Sequence, residues 1–241
     1  METKGHQAFE TTRWSLIDAL RSGDADRARE AGNRLITLYW PAVYGYLVRS
    51  GLDAERAGEV TQAFFADVVI ARRLFEIADQ ETGRLRSLLL TALRRYRIDL
   101  ARRGKTHPDW DRPDPSLMRE VADRAGRADS PEAVFDREWA IAALDEARRQ
   151  CEAHFCSNGR RAHWALFEAR HITPVASGTS PTAFELLAPV YGFDSAAAAA
   201  AAVQVVRRRF RSILVSLMSD QNANNAEEEA GRLLGVLTSC V

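Results

Sequence analysis

Residues 193–214 read FDSAAAAAAAVQVVRRRFRSIL, and this stretch decides the fold class. Seven alanines in a row, from Ala196 to Ala202, favour helix more than any other composition. At about 100° per residue, Val203, Val206, Phe210, Ile213, Leu214 and the nearby Leu217 form one apolar stripe, extended backward by Ala199 and Ala196. Ala197, Ala201, Gln204 and Arg208 face the other way. Asp194 or Ser195 is placed to cap the first turn. Just before it stands Ala188-x-x-x-Gly192, a small residue near the turn of a helix-turn-helix.

In a helix-turn-helix the first turns of the second helix meet base edges. Here those turns offer methyl groups, with Ser195 at the start and Gln204 as the one amide in reach. Arg207, Arg208, Arg209 and Arg211 stand further along, where backbone phosphate is the natural partner. A plain alanine-rich helix with a charged end remains open beside the DNA reading.

Working outward, helical periodicity continues and strand alternation is absent. Residues 12–32 read as a first helix, capped at Thr11 or Thr12, and 33–49 as a second with Leu35, Tyr39, Val43 and Leu47 on one face. Gly51 stops it and Asp53 caps the next, whose inner stripe is Val60, Phe64 and Val68. The turn-prone IADQETG (77–83) leads into RLRSLLLTALRRYRIDLARR (84–103). Prolines, aspartates and glycines mark 104–130 as a flexible linker. Ser130-Pro131 opens a helix that closes near Asn158-Gly159. RRAHWALFEARHI reads as helix, TPVASGTS as loop and PTAFELLAPVY as a short helix. The expectation is an all-α chain of two helical domains, 9–103 and 131–218, joined by that linker and followed by a tail, 219–241. In the tail, EEEAGRLLGVLT (227–238) reads as a docked terminal helix whose acids could compete with DNA for the Arg207–Arg211 cluster.

Thirty-three basic and 33 acidic residues balance, so any affinity for polyanions rests on local clusters. No signal peptide or membrane-length apolar run is visible. Cys151, Cys156 and Cys240 form no disulfide framework. These features predict a soluble, cytoplasmic protein. Cys151, His154, Cys156 and His163 match no structural zinc spacing, and no phosphate-binding loop or hydrolase motif occurs. Neither a metal, a cofactor nor enzymatic activity is expected.

The strongest local cluster is residues 84–103. Leu85, Leu88, Leu89, Ala92, Leu93, Tyr96 and Leu100 share one side; Arg84, Arg86, Arg94, Arg95, Arg97 and Arg102 fill the rest, opposed by Asp99. A one-signed arginine stripe suits phosphates, although a solvated helix face has the same composition. Glu59 and Gln62 sit three apart on an outer helix face, either solvated or forming a docking patch beside Phe64-Phe65.

In order and spacing these segments resemble the bacterial extracytoplasmic-function sigma factors, notably a group common in planctomycetes. The likeness runs from about Phe9 to Leu237. TTRWSLIDAL is similar to that group's N-terminal signature; LYWPAVYGYLVRSGLDAERAGEVTQAFFADVV to the polymerase-binding helices of sigma region two; ETGRLRSLLLTALRRYRIDLARR to its promoter-melting part; and FDSAAAAAAAVQVVRRRFRSIL to the second helix of region four.

The resemblance implies that Glu59 and Gln62, with Phe65 beside them, meet the β′ clamp of core RNA polymerase. It implies that the IADQETG loop captures a flipped base of the minus-ten element, and that Arg94, Arg95, Asp99, Arg102 and Arg103 belong to the basic melting helix. Many members carry asparagine at the position of Arg95, aromatic residues at Leu85 and Leu88, and polar or basic residues at Ala196, Ala197 and Ala200. The function so implied is promoter recognition and opening in transcription initiation. Promoter DNA and core polymerase are the expected partners, with an anti-sigma factor as a further candidate. The residues themselves leave two alternatives: a helix-turn-helix regulator acting without polymerase, and a helical protein–protein adaptor.

Overall fold

The structure is a computed structural model that describes residues 13–70, 73–75, 85–103, 115–125 and 130–218, with backbone alone for 13–15 and 100–103. Among the described residues every regular element is helical and none is a strand. The caps expected at Thr11 or Thr12, the IADQETG loop, Arg84, the side chains of Arg102 and Arg103, Cys240 and the terminal helix of the tail lie outside them.

The chain divides into two compact units, with the border between Ala143 and Leu144. The first unit begins with α1 (Arg13–Arg21) and α2 (Ala25–Arg49). Their border departs from the sequence expectation of one helix over 12–32. Gly23 adopts φ +76°, which a residue with a Cβ resists, and the Asp24 carboxylate accepts from the backbone N–H groups of Asp26 and Arg27. The break therefore falls at 22–24, and α2 runs unbroken through residue 33.

α3 (Ala54–Phe64) starts where Asp53 accepts from the Arg56 N–H at 2.8 Å, and it continues as a π-helical turn over Phe65–Ile70. Val60, Phe64 and Val68 are buried, as their spacing predicts. α4 (Leu85–Arg103) buries Leu85, Leu89 and Leu93. Its Tyr96 ring meets Phe64 edge-on at 5.6 Å, and the Tyr96 hydroxyl donates to Asp67 at 3.1 Å.

Inside the stretch read as linker, Pro115–Ala125 forms α5. Val121 and Ala125, one turn apart, are fully buried, and α5 packs against α2 and α3. Polar surroundings and nearby prolines concealed so short an apolar face. α6 (Pro131–Ser157) begins with Ser130 Oγ accepting from the Ala133 N–H. Its first half, up to Ala143, belongs to this unit and buries Val134, Phe135, Glu138 and Trp139.

The second unit contains the rest of α6, then α7 (Arg161–Phe167), a π-helical turn over Glu168–Ile172, α8 (Thr173–Ser177), α9 (Phe184–Val190) and α10 (Ala196–Met218). TPVAS, expected as loop, is helical: Pro174 suits a first turn, and Gly178 at φ +66° ends it. Phe167 of α7 and Phe210 of α10 meet at 5.8 Å in the core of this unit, where the two helices pack together. The stripe of α10 is buried from Ala199 through Val203, Val206, Phe210, Ile213 and Leu214 to Leu217.

Candidate functional site

Two surfaces of the first unit carry the residues singled out from sequence on α3 and α4. On α3, Glu59 is exposed and held by Arg56 Nη1 at 2.7 Å, one turn away. Gln62 lies half-buried beside it. Both line a cleft of about 470 Å³. Trp40 and Tyr44, stacked at 4.9 Å, contribute from α2, Gly58 from α3, and Met118, Arg119 and Ala122 from α5. Phe65 does not join this patch. It is 2% exposed, its ring turned inward against Phe64, so its expected place on a docking surface is corrected to a core role.

The second surface is α4. Of the arginine stripe the structure describes the side chains of Arg86, Arg94, Arg95 and Arg97, and two of these are bonded to α6. Arg94 donates through Nη2 and Nε to Glu132 Oε1, at 2.7 and 3.2 Å. That bond lowers the Glu132 carboxyl below its usual range and raises the Arg94 guanidinium. Arg86 reaches Asp136 Oδ2 at 2.7 Å and lies over the Trp139 ring at 5.4 Å. Arg97 lies over Tyr46 at 5.9 Å. Arg95 and Asp99 are exposed. Glu132, Asp136 and Trp139 escaped sequence reasoning. Overall charge balance hinted that acids offset the arginines, but not which acids or where.

Behind this contact stands an ion pair. Glu138 is 0% exposed, and Arg124 of α5 grips it from both sides, Nε to Oε1 at 3.0 Å and Nη2 to Oε2 at 2.6 Å. Arg137 donates to the Arg124 carbonyl. Gly45 of α2 leaves room for this junction: a Cβ there would stand 2.8 Å from Val134 Cγ1.

In the second unit a tight turn separates α9 from α10. Gly192 has φ +76°, and the Phe193 N–H donates to the Ala188 carbonyl at 2.8 Å. Ser195, rather than Asp194, is the cap, its hydroxyl oxygen accepting from the Ala198 N–H at 3.1 Å. That oxygen serves the fold before it serves any ligand. Ala197, Ala201, Gln204, Arg208 and Arg211 are exposed, and their spacing of four, three, four and three sets them along one helix face. Arg207 is half-buried beside it. Leu186 and Val190 of α9 are 65% and 73% exposed.

Cys151 is buried, which pushes its thiol up to about 12, against a smaller opposing effect of Arg209; Cys156 is exposed. Among the described residues no three His, Cys, Asp or Glu side chains gather as a metal site would require, and no helix is long and apolar enough to cross a membrane. Comparison with known proteins finds no family model, no curated protein and no solved structure that matches the chain.

Proposed function

We propose that the protein is an RNA polymerase sigma factor of the extracytoplasmic-function type, acting in the cytoplasm without enzymatic activity of its own. The observation that carries the reading is the pairing, in one helical unit, of the face with exposed Glu59 and half-buried Gln62 with the arginine-rich α4. In this reading Glu59 and Gln62 dock on the polymerase clamp. Arg95, with Arg86, Arg94, Arg97, Arg102 and Arg103, follows the phosphates of the opening promoter, and base contacts to single-stranded DNA supply specificity. α10 lies over upstream duplex through Gln204, Arg207, Arg208 and Arg211. Its alanine face makes that contact phosphate-dominated.

A second reading has an observation of its own. Arg86 and Arg94 are engaged within the chain, as they would be in a helical adaptor whose arginines only hold α4 to α6. Gel filtration with core polymerase, with and without promoter DNA, separates the cases. A sigma factor co-elutes with polymerase, a duplex-binding regulator elutes with DNA alone, and an adaptor with neither. Absence of co-elution removes the sigma-factor reading.

A further inference from the structure

The first half of α6 presents Glu132, Asp136 and Trp139 at positions i, i+4 and i+7, a single helix face. This face lies along α4 in the antiparallel sense, since Arg94 meets Glu132 while Arg86 meets Asp136 and Trp139. Two carboxylates and the face of an indole thus engage two guanidinium groups. Nucleic acid would offer the same chemistry through phosphate oxygens and stacked bases. The opposite side of this half-helix carries the buried Glu138, gripped by Arg124 of α5, which fixes the acidic face in place.

We propose that the Glu132 and Asp136 carboxylates are a built-in competitor for polyanion, which masks Arg94 and Arg86 of α4 until nucleic acid displaces the two carboxylates, while Trp139 stays in the core. The proposal rests on the reading that α4 meets DNA, and specifies how that contact is regulated. The Arg94–Glu132 pair suits such exchange. Its side chains are 50% and 38% exposed, so water and salt screen it, and an exposed pair of this kind is weak enough to trade for phosphate. The Arg124–Glu138 pair is built for permanence instead, since separating it would strand a carboxylate with no exposure. One short helical segment therefore has a fixed side and an exchangeable side.

The test is the full-length double variant Glu132→Gln/Asp136→Asn, which keeps side-chain shape and removes both charges. Binding of a short labelled single-stranded DNA is followed across a salt series, with circular dichroism to confirm unchanged helicity. Freeing two guanidinium groups should tighten binding at low salt. It should also steepen the dependence on salt, with roughly tenfold more affinity lost over a fourfold rise in salt than in the parent. Adding Arg86→Ala and Arg94→Ala to the variant should abolish the gain. Unchanged affinity and slope in the double variant, while the parent still co-elutes with polymerase, overturns the mask and leaves the sigma-factor reading standing. Failure of both proteins to bind DNA, with no co-elution, overturns the two together.

Discussion

Arg124 and Glu138 show what a single buried carboxylate demands. Glu138 has no exposure, and the guanidinium that holds it is 31% exposed. Its burial is tolerable because three nitrogen–oxygen contacts of 2.6–3.1 Å replace water. Arg124→Ala leaves an uncompensated buried charge and should cost about 3–5 kcal/mol in urea unfolding. Glu120→Ala, at a site 68% exposed on the same helix, should stay within about 0.5 kcal/mol. Equal effects of the two would refute the assignment. The cysteines offer a second contrast. The thiolate is the reactive form, and burial holds Cys151 near 12. In a Cys240→Ser background, thiol titration of the native protein should modify Cys156 rapidly and reach Cys151 on unfolding, which comparison of added Cys156→Ser and Cys151→Ser would assign.

At the scale of the element, helix faces divide structural work from contact. On α3, Val60 and Phe64 are buried while Glu59 is exposed; on the proposed sigma-factor reading Glu59→Arg should weaken polymerase binding severalfold or more, with stability changed by less than about 0.5 kcal/mol. Unaltered affinity would remove the clamp assignment. On α10, Gln204 and Arg208 lie one turn apart on the exposed face. If α10 meets duplex DNA as proposed, Arg208→Ala should flatten the salt dependence of that binding by about one unit per lost phosphate, whereas Gln204→Ala should change preference among sequences more than the slope. Between α6 and α7, the His163 ring stacks on Phe155 at 6.3 Å and meets Phe193 edge-on at 5.4 Å. Burial, then the charge of Arg160, lowers its pKa. The folded state therefore favours neutral imidazole. Its contribution to stability is full above the ordinary imidazole range and is lost as pH falls through the lowered folded value. His163→Gln should reduce the change in unfolding midpoint across that window; an identical pH profile would show that this histidine is not linked to folding.

For the whole molecule, the border between units matters more than any one helix. The first unit draws Val121 and Ala125 from α5 and Val134, Phe135 and Trp139 from α6 into its core. A fragment ending at Arg103 lacks them and should melt well below one ending at Ala143; equal melting temperatures by circular dichroism would disprove that dependence. Much of the architecture was legible in order along the chain. Caps and stripes such as Asp53, Val60–Phe64–Val68, Ser195 and Val203–Phe210–Leu217 are local, because helix periodicity and capping act over three or four residues. The outer faces of Glu59 and Gln204 followed from the same geometry. Closely spaced signals competed at 22–24, where Gly23 and Asp24 break a pattern that seemed continuous, and at Phe65, whose inward turn coincides with a change to π-helix. What tertiary structure alone decided was which charges meet. Arg94 and Glu132 stand 38 positions apart and Arg124 and Glu138 fourteen. An ion pair carries no periodic signature, and any of the chain's 33 acids could have answered those arginines until packing selected the partners.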